Sequence, residues 1–467
     1  DNDFKVFVGP GDNGGDGLAV ARMLAEKGYY VEAYVTGKLS ENGLTNYNRL
    51  VKQGKAKVFT INGEDKFPII EPSDILIDAL FGAGLKRPVE GYIGSLVNYI
   101  NESGGKIISI DIPSGLFAED NTPHTAVEVG GETFYTNVIR ADFTLTLELP
   151  FISFFFADDA VHVGEWFVLP IGLHRGFLKH EPVDNNYVTA ADAKKRLRKR
   201  KKFSHKGHYG HALLVSGGRG KMGAAILASQ GCLRGGTGLI TTHVPEHGIN
   251  ILQTAVPENM ISVDAHEDYF SQVPALDKYN AIGVGPGIGT NQVTQQALRN
   301  LLEKAESPMV LDADALNIIA QHKDMLKLIP ENSILTPHPK ELDRLTGEKK
   351  HVYSRVEEQA KLSKEYKVFV LQKGAHSAVS TPEGILYFNS TGNPGLSTGG
   401  RGDVLPGLIL ALLAQGYPPQ DAAILGAYLH GLAGDIAADK LGMEAVVASD
   451  VVNYLGKAYK TLYKNKF

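Results

Sequence analysis

The sequence predicts an α/β protein of two domains, each with a parallel sheet covered by helices on both faces. Three observations predict this fold class. The chain has 467 residues, which suffices for two or three domains. Strand-like apolar runs alternate with helical patterns along both halves, which is typical of βαβ units. Glycine-rich and polar clusters follow the strand-like runs, as expected at the carboxyl edge of a doubly wound sheet, where ligands bind.

The first half of the chain contains strand-like runs separated by helical patterns. The predicted strands lie at 4–8, 30–35, 58–61, 75–80, 107–112 and 141–147. The predicted helices lie at 18–27, 46–53 and 93–101. Polar clusters at 9–17, 78–88 and 111–115 each follow a strand, so we expect them to share one edge of the first sheet.

The pattern breaks between residues 173 and 190, which indicates a domain boundary and predicts domains at 1–180 and 190–467. The second domain alternates again. Its predicted strands lie at 212–216, 239–244, 281–284, 309–311, 334–335 and 368–371, with a helix at 223–233. Each strand is followed by a polar cluster, as in the first domain.

Composition excludes several classes of function. The net charge of −5 argues against a nucleic-acid partner. We expect the basic run at 194–202 to be a solvated helix face. The chain has one cysteine, Cys232, so a disulfide framework is excluded and a reducing compartment such as the cytoplasm is expected. No apolar run reaches the roughly 18–20 residues that cross a bilayer, so no membrane partner is expected.

The stretch 393–405 (NPGLSTGGRGDVL) carries the strongest chemical signal in the sequence. Glycines precede Asp403, and an apolar run at 407–414 follows. This is the pattern of a glycine loop that leads into a helix N-terminus, where backbone N–H groups bind an anion such as phosphate. Asp403 would lie beside that anion as a general acid or base. The alternative is a glycine-rich turn before a buried helix.

The stretch 9–14 formally matches the dinucleotide-binding pattern GxGxxG. A dehydrogenase of that type carries an acidic residue at the end of the second strand, and this chain has none there. Asp12, Asn13 and Asp16 instead suggest a polar ligand together with a cation. The alternative for Asp12 and Asp16 is helix capping.

Asp78 and Asp111 each follow an apolar strand, and Lys86 lies on a glycine loop at the same edge. A lysine and an aspartate that meet over a pocket form an acid/base pair with tunable pKa values. The alternative is a structural ion pair.

These motifs together resemble the bifunctional NAD(P)H-hydrate repair enzymes, which join an epimerase domain to an ADP- or ATP-dependent dehydratase domain. The resemblance covers nearly the whole chain. It is carried by GPGDNGGDG at 9–17, DALFGAGLK at 78–86, DIPSG at 111–115, HKGHYG at 205–210, SGGRGKMGAA at 216–225, GPGIG at 285–289, LDADALN at 311–317, TPHPKE at 336–341, KGAHS at 373–377 and NPGLSTGGRGD at 393–403. The second domain also resembles the ribokinase superfamily.

The resemblance implies that residues 1–180 form a Rossmann-like epimerase domain that interconverts the two C6 epimers of hydrated NADH and NADPH. Asp111 and Lys86 match the acid/base positions of the family. Asn13, Asp78 and Ser114 match a potassium site. The positions that match substrate contacts are Asp12, Asn13, Gly14, Gly15, Asp16, Gly82, Ala83, Gly84, Leu85, Lys86, Arg87, Pro88 and Asp111.

The resemblance further implies that residues 190–467 form a ribokinase-like dehydratase domain that uses Mg²⁺ with ADP or ATP. Asp403 would be the catalytic base and also contact the substrate. Ala224, Gly287 and His338 match hydrate contacts. The positions that match nucleotide contacts are Lys373, Gly374, Ala375, His376, Ser377 and Gly402. The choice between ADP and ATP, and between the two hydrates, is left open.

The chain departs from the family pattern at two places. Arg401 stands where the glycine loop of the family has serine, and we expect its guanidinium to strengthen phosphate binding or to crowd the loop. The epimerase domain of the family has helices before its first strand, so we expect residues to be missing before Asp1.

Two other functions are compatible with part of the sequence. A ribokinase-like vitamin or sugar kinase with an accessory domain would explain the second domain but not Asp78, Lys86 and Asp111. A nucleotide-binding protein without activity is favoured only by Arg401. A homo-oligomer is expected, with the small-residue helix at 422–438 as a possible contact.

Overall fold

The computed structural model describes residues 3–464, which form two compact units. The first unit contains the described residues up to Pro182 together with His351–Tyr353, and the second contains Val183–Lys350 and the described residues from Ser354. Both units are α/β, so the predicted fold class is confirmed. Within residues 3–464, none of the helices combines the length and the apolar character needed to cross a membrane.

The first unit is built on a parallel seven-stranded sheet with the strand order β3-β2-β1-β4-β5-β8-β9. A separate two-stranded hairpin pairs β6 with β7. The strands are β1 Phe4–Val8, β2 Val31–Thr36, β3 Lys57–Ile61, β4 Ile75–Ala79, β5 Lys106–Ile110, β6 Ala126–Val129, β7 Glu132–Tyr135, β8 Phe143–Leu147 and β9 Glu165–Leu169. The helices are α1 Asp12–Glu26, α2 Glu41–Gln53, α3 Gly91–Glu102, α4 Ala160–Val163 and α5 Arg175–His180.

The strand order reverses between β1 and β4, so the crevice of this sheet opens after these two strands. β1 is buried almost completely between apolar side chains of both helix layers, including Leu18 from α1 and Leu96 from α3. A strand buried on both faces reads as a continuous apolar run, which is why Phe4–Val8 was recognisable in the sequence.

The second unit is built on a ten-stranded sheet with the order β10-β19-β18-β17-β16-β15-β14-β11-β12-β13. β18 pairs antiparallel with both of its neighbours, and the other pairs are parallel. The strands are β10 Asn185–Val188, β11 His211–Val215, β12 Leu239–Val244, β13 Met260–Val263, β14 Ala281–Val284, β15 Met309–Leu311, β16 Ile334–Leu335, β17 Phe369–Gln372, β18 Ala378–Ser380 and β19 Leu386–Asn389.

Helices cover both faces of this sheet. They are α6 Ala190–Arg196, α7 Met222–Gly235, α8 Gly248–Ala255, α9 Gln292–Lys304, α10 Ala313–Gln321, α11 Pro339–Thr346, α12 Val352–Tyr366, α13 Arg401–Ala414, α14 Pro419–Leu441 and α15 Ala448–Lys464. The strand order reverses between β11 and β14, so the crevice opens after these strands.

Helix α13 lies at the centre of the second unit and packs closely against α7. Its residues from Val404 to Ala414 are all buried, as the apolar run at 407–414 predicts. Glycines permit the close approach of the two backbones. A Cβ on Gly407 would lie 2.0 Å from the carbonyl oxygen of Ala228, and a Cβ on Gly231 would lie 2.5 Å from that of Val404.

Two predicted features of the second unit are wrong. The basic run is mostly outside a helix, because α6 ends at Arg196. Alternate arginines instead stack on aromatic rings, with Arg198 4.6 Å from the ring centre of Tyr417 and Arg200 4.0 Å from that of Tyr209. The small residues of α14 are buried within the core of their own unit, so this helix does not offer the expected contact surface.

We predict that Gly407→Ala destabilises the second unit by about 1–3 kcal/mol, because the added Cβ meets backbone that has no free rotation to relieve the overlap. Thermal unfolding followed by calorimetry and far-UV circular dichroism measures the effect. The matched control is Gly456→Ala in α15, where a Cβ meets no atom within 4 Å. This control should stabilise the helix by up to ~1 kcal/mol. Equal unfolding of both variants would contradict the proposed close contact.

Candidate active sites

The first candidate site lies where β1 leads into α1. β1 ends at Val8 and α1 begins at Asp12. A Cβ on Gly14 would lie 2.0 Å from the carbonyl oxygen of Gly9, and a Cβ on Gly17 would lie 2.5 Å from Ala79 Cβ. These glycines therefore let the first turns of the helix pack directly against the sheet.

Helix α1 begins earlier than the predicted start at residue 18, because glycine is a poor helix former and obscured the first turns. The first two turns carry Asp12, Asn13, Gly14, Gly15 and Asp16. The N-cap is Gly11, and no side chain caps the helix, so the capping alternative for Asp12 and Asp16 is wrong. Asp12 Oδ1 instead accepts a hydrogen bond from Ser40 Oγ at 2.8 Å, and both Asp12 and Asp16 are exposed to a ligand.

Asp111 follows β5 directly and has a left-handed backbone, with a φ of 70°. Its carboxylate accepts a hydrogen bond from the N–H of Leu147 at 3.3 Å. Burial raises the pKa of Asp111. Burial also raises the pKa of Asp16, with further contributions from the charges of Asp111 and Asp12. These carboxylates therefore lie close enough to influence one another at one edge of the sheet.

The glycine loop after β4 lies beside this carboxylate cluster. A Cβ on Gly82 would lie 3.4 Å from Asn13 Cβ and 3.8 Å from Asp111 Oδ2. Lys86 is exposed and forms no ion pair with any residue between 3 and 464, so the structural ion-pair alternative is wrong. The structure also does not join Lys86 to Asp111. The rest of the predicted loop is Ala83, Gly84, Leu85, Arg87 and Pro88, of which Gly84 and Arg87 are exposed.

The three predicted cation ligands lie together. Asp78 is 1% exposed and accepts hydrogen bonds from Ser109 Oγ at 2.8 Å and from Ser114 Oγ at 2.5 Å. Ser114 Oγ and Asn13 Nδ2 both contact the carbonyl oxygen of Phe81, at 3.2 Å and 2.9 Å. Asn13 Oδ1 is buried and accepts no hydrogen bond. Asn13 is thus connected to the buried carboxylate of Asp78 through Phe81 and Ser114, and a buried oxygen without a partner in such a group is a suitable place for a cation.

The chemistry of these ligands favours a hard cation with oxygen ligands. Burial raises the pKa of Asp78, while hydrogen bonds from Ser114 and Ser109 oppose that rise. Within residues 3–464, no group of three or more His, Cys, Asp or Glu side chains is placed to hold a metal. Amide and hydroxyl oxygens would therefore complete the coordination.

The second candidate site is a cleft of about 460 Å³ in the second unit. It lies at the switch point of the sheet, after β11, β14 and β15, and between the N-terminal ends of α7 and α13. Three of the predicted site residues line it: Ala224, Gly287 and Asp403. Its other lining residues are Gly220, Lys221, Gly223, Leu227, Ala313, Asp314 and Gly400.

Asp403 lies in the first turn of α13, behind Gly400, whose φ of 82° forms the turn into the helix. Burial raises the pKa of Asp403 to about 6, and the charge of Asp312 adds to the rise while that of Lys373 opposes it. The carboxyl group therefore exchanges its proton close to neutral pH, which suits general acid or base chemistry.

Lys373 reaches the N-terminal end of α13 from the end of β17. Its Nζ bonds to Asp312 Oδ1 at 2.5 Å and would lie 3.8 Å from a Cβ on Gly402. Asp312 is buried and also accepts a hydrogen bond from Thr336 Oγ1 at 2.7 Å. A fixed ammonium group at a helix N-terminus is a suitable phosphate site.

The rest of the predicted nucleotide loop forms the turn between β17 and β18. Gly374 and Ala375 are exposed, and Ser377 Oγ donates a hydrogen bond to the carbonyl oxygen of Gly374 at 3.2 Å. His376 Nδ1 lies 3.1 Å from the carbonyl oxygen of Asn389, and burial lowers its pKa. The turn is therefore accessible to a ligand at Gly374 and Ala375.

His338 does not line the cleft. It is the N-cap of α11, where its Nδ1 accepts a hydrogen bond from the N–H of Glu341 at 3.3 Å. The side chain of Glu341 accepts a hydrogen bond from the N–H of His338 at 2.9 Å, which completes a capping box. The described contacts of His338 are those of a helix cap, and its Nε2 lies 3.4 Å from Glu341 Oε1.

The expectation for Arg401 is wrong. Its side chain is 1% exposed and is not part of the cleft wall. The guanidinium donates a hydrogen bond to the carbonyl oxygen of Val446, while its Nε and Nη1 are buried without a hydrogen-bond partner. The guanidinium of Arg401 therefore points away from the cleft, and Lys373 is the cationic side chain that reaches Gly402 at the start of α13.

Two residues of the cleft were not predicted to have a role. Lys221 Nζ lies 3.1 Å from Asp314 Oδ2, and the same oxygen accepts a hydrogen bond from the N–H of Gly289 at 2.8 Å. Both residues belong to recognised motifs. Their position after a strand was the available signal, but the spacing alone did not show that they meet.

Comparison with known proteins agrees with this geometry. Residues 212–457 match the family described as NAD(P)H-hydrate dehydratase, and residues 1–152 match the family described as YjeF-related protein N-terminus. A bifunctional NAD(P)H-hydrate repair enzyme of Thermofilum pendens is 35% identical over 98% of this chain and 87% of its own length. The chain belongs to the bifunctional NAD(P)H-hydrate repair family. The repair enzyme of Escherichia coli is 31% identical over 97% of this chain and 84% of its own length.

A solved structure matches the second unit. It is an ADP/ATP-dependent NAD(P)H-hydrate dehydratase from Bacillus subtilis, co-crystallised with ATP and Mg²⁺. Its identity to this chain is 29% and its TM-score is 0.53, over 59% of this chain and 98% of that protein. The predicted family is confirmed. The matches cover both halves of the chain, which argues against a kinase with an unrelated accessory domain.

We predict that Arg401→Met leaves nucleotide affinity within about twofold of the wild type and does not lower the free energy of unfolding. Replacing a buried, incompletely paired charge with an apolar group of similar size is neutral or stabilising by about 1–4 kcal/mol. Calorimetric titration with ADP and ATP, together with urea unfolding, measures both quantities. A large rise in either nucleotide Kd would return Arg401 to the phosphate site.

We predict that a reaction in which Asp403 accepts a proton loses rate as the pH falls through about 6. The raised pKa also means that the folded state binds this proton more tightly than the unfolded state, so the carboxyl group costs stability as pH rises from about 4 to 6. Asp403→Asn should therefore be inactive, equal to the wild type in stability near pH 4, and more stable above pH 6 by on the order of 2 kcal/mol. A flat difference in stability between pH 4 and 8 would contradict this.

Proposed function

We propose that the chain restores NADH and NADPH from their C6 hydrates by epimerisation in the first unit and nucleotide-dependent dehydration in the second. The observation that carries the proposal is the cleft in the second unit, in which Asp403, with a pKa of about 6, lies between two helix N-termini. A carboxylate beside a phosphate-binding helix end is suited to transfer a phosphoryl group to a hydroxyl group.

In the dehydration step, Asp403 takes the proton of the C6 hydroxyl as the hydroxyl oxygen attacks the terminal phosphoryl group of the nucleotide. Phosphorylation turns a poor leaving group into a good one. The C6–O bond then breaks with release of phosphate, and loss of a proton from C5 restores the C5–C6 double bond. Ala224 and Gly287 are the proposed hydrate contacts in the cleft. His338 is proposed as a third contact, which requires that the bound hydrate extends beyond the cleft wall to the start of α11, where the side chain of His338 is 45% exposed.

The nucleotide is proposed to bind at the N-terminal end of α13. Lys373, fixed by Asp312, would hold its phosphates together with the backbone of Gly402. Residues 373–377 supply the exposed turn next to it. ADP or ATP would bring Mg²⁺, which neutralises phosphate charge, and the carboxylate of Asp314 in the cleft wall is an oxygen ligand that suits this ion.

In the epimerisation step, Asp111 would accept the proton of the C6 hydroxyl as the C6–N1 bond breaks, which leaves an aldehyde at C6 and puts the electron pair and a proton on N1. N1 would then lose that proton and add to the other face of the carbonyl, while Asp111 returns its proton to the oxygen. Its raised pKa and its place beside Asp16 support an acid/base role. Lys86 is proposed as the second acid/base group. Because Lys86 is exposed on the loop after β4, this role requires that the loop brings it to the bound hydrate.

We propose that Asn13, Asp78 and Ser114 bind K⁺ in the first unit. Asn13 Oδ1 is a buried oxygen without a hydrogen-bond partner, and Phe81 and Ser114 connect Asn13 to the buried carboxylate of Asp78. The cation would neutralise this carboxylate and fix the first turn of α1, which carries the proposed substrate contacts. The expected homo-oligomer and the cytoplasmic location stay predictions, the latter supported by the buried, unpaired Cys232.

The decisive experiment incubates each separated epimer of hydrated NADH with the protein, Mg²⁺, and ADP or ATP, and follows the absorbance of reduced nicotinamide. We predict recovery from both epimers by the wild type. Asp111→Asn should recover NADH from one epimer at the wild-type rate and from the other at no more than the spontaneous rate, since only epimerisation is lost. Accumulation of a phosphorylated product without NADH would instead indicate a kinase, and recovery from neither epimer would defeat the proposal.

The same assay tests the cation. Replacing K⁺ by tetramethylammonium should slow NADH recovery from the epimer that first needs epimerisation by at least about tenfold. Recovery from the epimer that is dehydrated directly should be unchanged. Asn13→Leu, which removes the unpaired oxygen at similar volume, should reproduce this loss even in K⁺. Asn48→Leu is the matched control, because Asn48 is an exposed asparagine of α2 outside the proposed cation site. Equal rates with and without K⁺ would exclude a catalytic role for the cation.

A further inference from the structure

The cleft of the second unit receives two helix N-termini, and the proposed nucleotide site uses only one of them. Gly400 and Asp403 belong to the start of α13, whereas Gly220, Lys221 and Ala224 belong to the start of α7. Lys373 serves the α13 side and does not line the cleft. Lys221, on the α7 side of the cleft, carries a second ammonium group, and the proposed mechanism assigns no role to it.

Lys221 is in direct contact with two of the proposed hydrate-binding positions. A Cβ on Gly287 would lie 3.1 Å from Lys221 Cβ and 3.2 Å from Ala224 Cβ. The N–H of Ala224 also donates a hydrogen bond to the carbonyl oxygen of Lys221 at 3.1 Å. These three residues form one continuous part of the wall, so a ligand that touches Gly287 and Ala224 lies within reach of the Lys221 side chain.

The ion pair with Asp314 holds the ammonium group of Lys221 in place but does not use all of its hydrogen-bond donors. Asp314 holds it at 3.1 Å and is itself fixed by the N–H of Gly289 at 2.8 Å. The side chain of Lys221 is 55% exposed, compared with 17% for that of Asp314. The ammonium group therefore keeps donors free for a second, anionic partner in the cleft.

The backbone under Lys221 is also fixed. The N–H of Arg219 donates to the carbonyl oxygen of Asp268 at 2.9 Å, and the side chain of Arg219 forms an ion pair with Glu267 at 2.7 Å. The loop that carries these partners begins at Asp264, which is buried and accepts a hydrogen bond from His243 Nε2 at 2.9 Å. A preorganised cation binds an anion with little loss of conformational entropy.

We propose that Lys221, with the N-terminal end of α7, binds the pyrophosphate of the hydrated dinucleotide and so selects a dinucleotide over smaller hydrates. The inference rests on the proposed function and deepens it. The phosphates of ADP or ATP are the other possible source of the anion. They are assigned to Lys373 because Lys373, and not Lys221, reaches Gly402 at the start of α13.

The test compares Lys221→Met with the wild type on two substrates, hydrated NADH and the hydrate of reduced nicotinamide riboside, which carries no phosphate. For hydrated NADH, KM should rise about tenfold, in line with loss of one charge-assisted hydrogen bond, while kcat changes less than twofold. For the riboside hydrate, the variant and the wild type should have the same KM. The KM for ADP and ATP should not change.

Two further variants separate recognition from structure. Lys221→Arg keeps the positive charge and should restore most of the affinity for hydrated NADH. Lys323→Met is the matched control, since Lys323 is an exposed lysine outside the cleft wall and should behave as the wild type. A rise in KM for ADP or ATP, or an equal rise for both hydrates, would overturn the proposal.

Direct binding keeps this test distinct from that of the proposed function. Calorimetric titration of hydrated NADH into the protein, saturated with a non-hydrolysable ATP analogue, needs no turnover. If the wild type binds the hydrate about tenfold more tightly than Lys221→Met but restores no NADH, the proposed function fails and the phosphate contact stands. If the two proteins bind it equally, the contact fails whether or not NADH is restored.

Discussion

The close approach of α7 and α13 determines the geometry of the cleft in the second unit. Glycines on both helices let one backbone lie against the other, and this brings the two N-terminal ends to one opening. Helix N-termini carry positive partial charge and repel one another. The carboxylates of Asp312, Asp314 and Asp403 lie at the same opening. Their negative charge balances the positive charge of the helix ends and of Lys221 and Lys373.

The two units satisfy their buried carboxylates in different ways, and this difference decides what each unit can bind. Asp312 has a lysine as its partner, so its neighbourhood is close to neutral and can accept an anion. Asp78 receives only neutral donors from serine side chains and backbone. A buried negative charge with neutral partners favours a cation as its complement. One sheet edge is therefore suited to phosphate, and the other to a positive ion.

Much of the fold was predictable because its central strands are buried on both faces. The strands at 239–244, 281–284 and 309–311 were predicted at the limits found in the structure. Short strands near the edges of the sheets, such as β10, β18 and β19, and the hairpin β6–β7 were not predicted. They carry too few apolar residues, or too irregular an alternation, to be distinguished from loops.

The candidate sites were predictable as far as they follow from topology. Polar clusters after strands meet at one edge, so Asp111 with Asp16 and Asp403 with Asp312 are neighbours, as this rule implies. Side-chain direction does not follow from topology. Arg401 turns into the core, His338 caps a helix, and Lys86 stays in solvent, because each depends on partners far away in the sequence.

The left-handed backbone of Asp111 means that the residue best for stability at this position differs from the one needed for the proposed chemistry. A non-glycine residue at a φ of 70° costs on the order of 1 kcal/mol, and glycine would remove that cost. Directed evolution toward heat resistance, with solubility as the only criterion, would thus favour glycine at position 111, which removes the proposed acid/base group. A thermostable variant library for this chain should keep position 111 constant and be screened on both epimers of the hydrate.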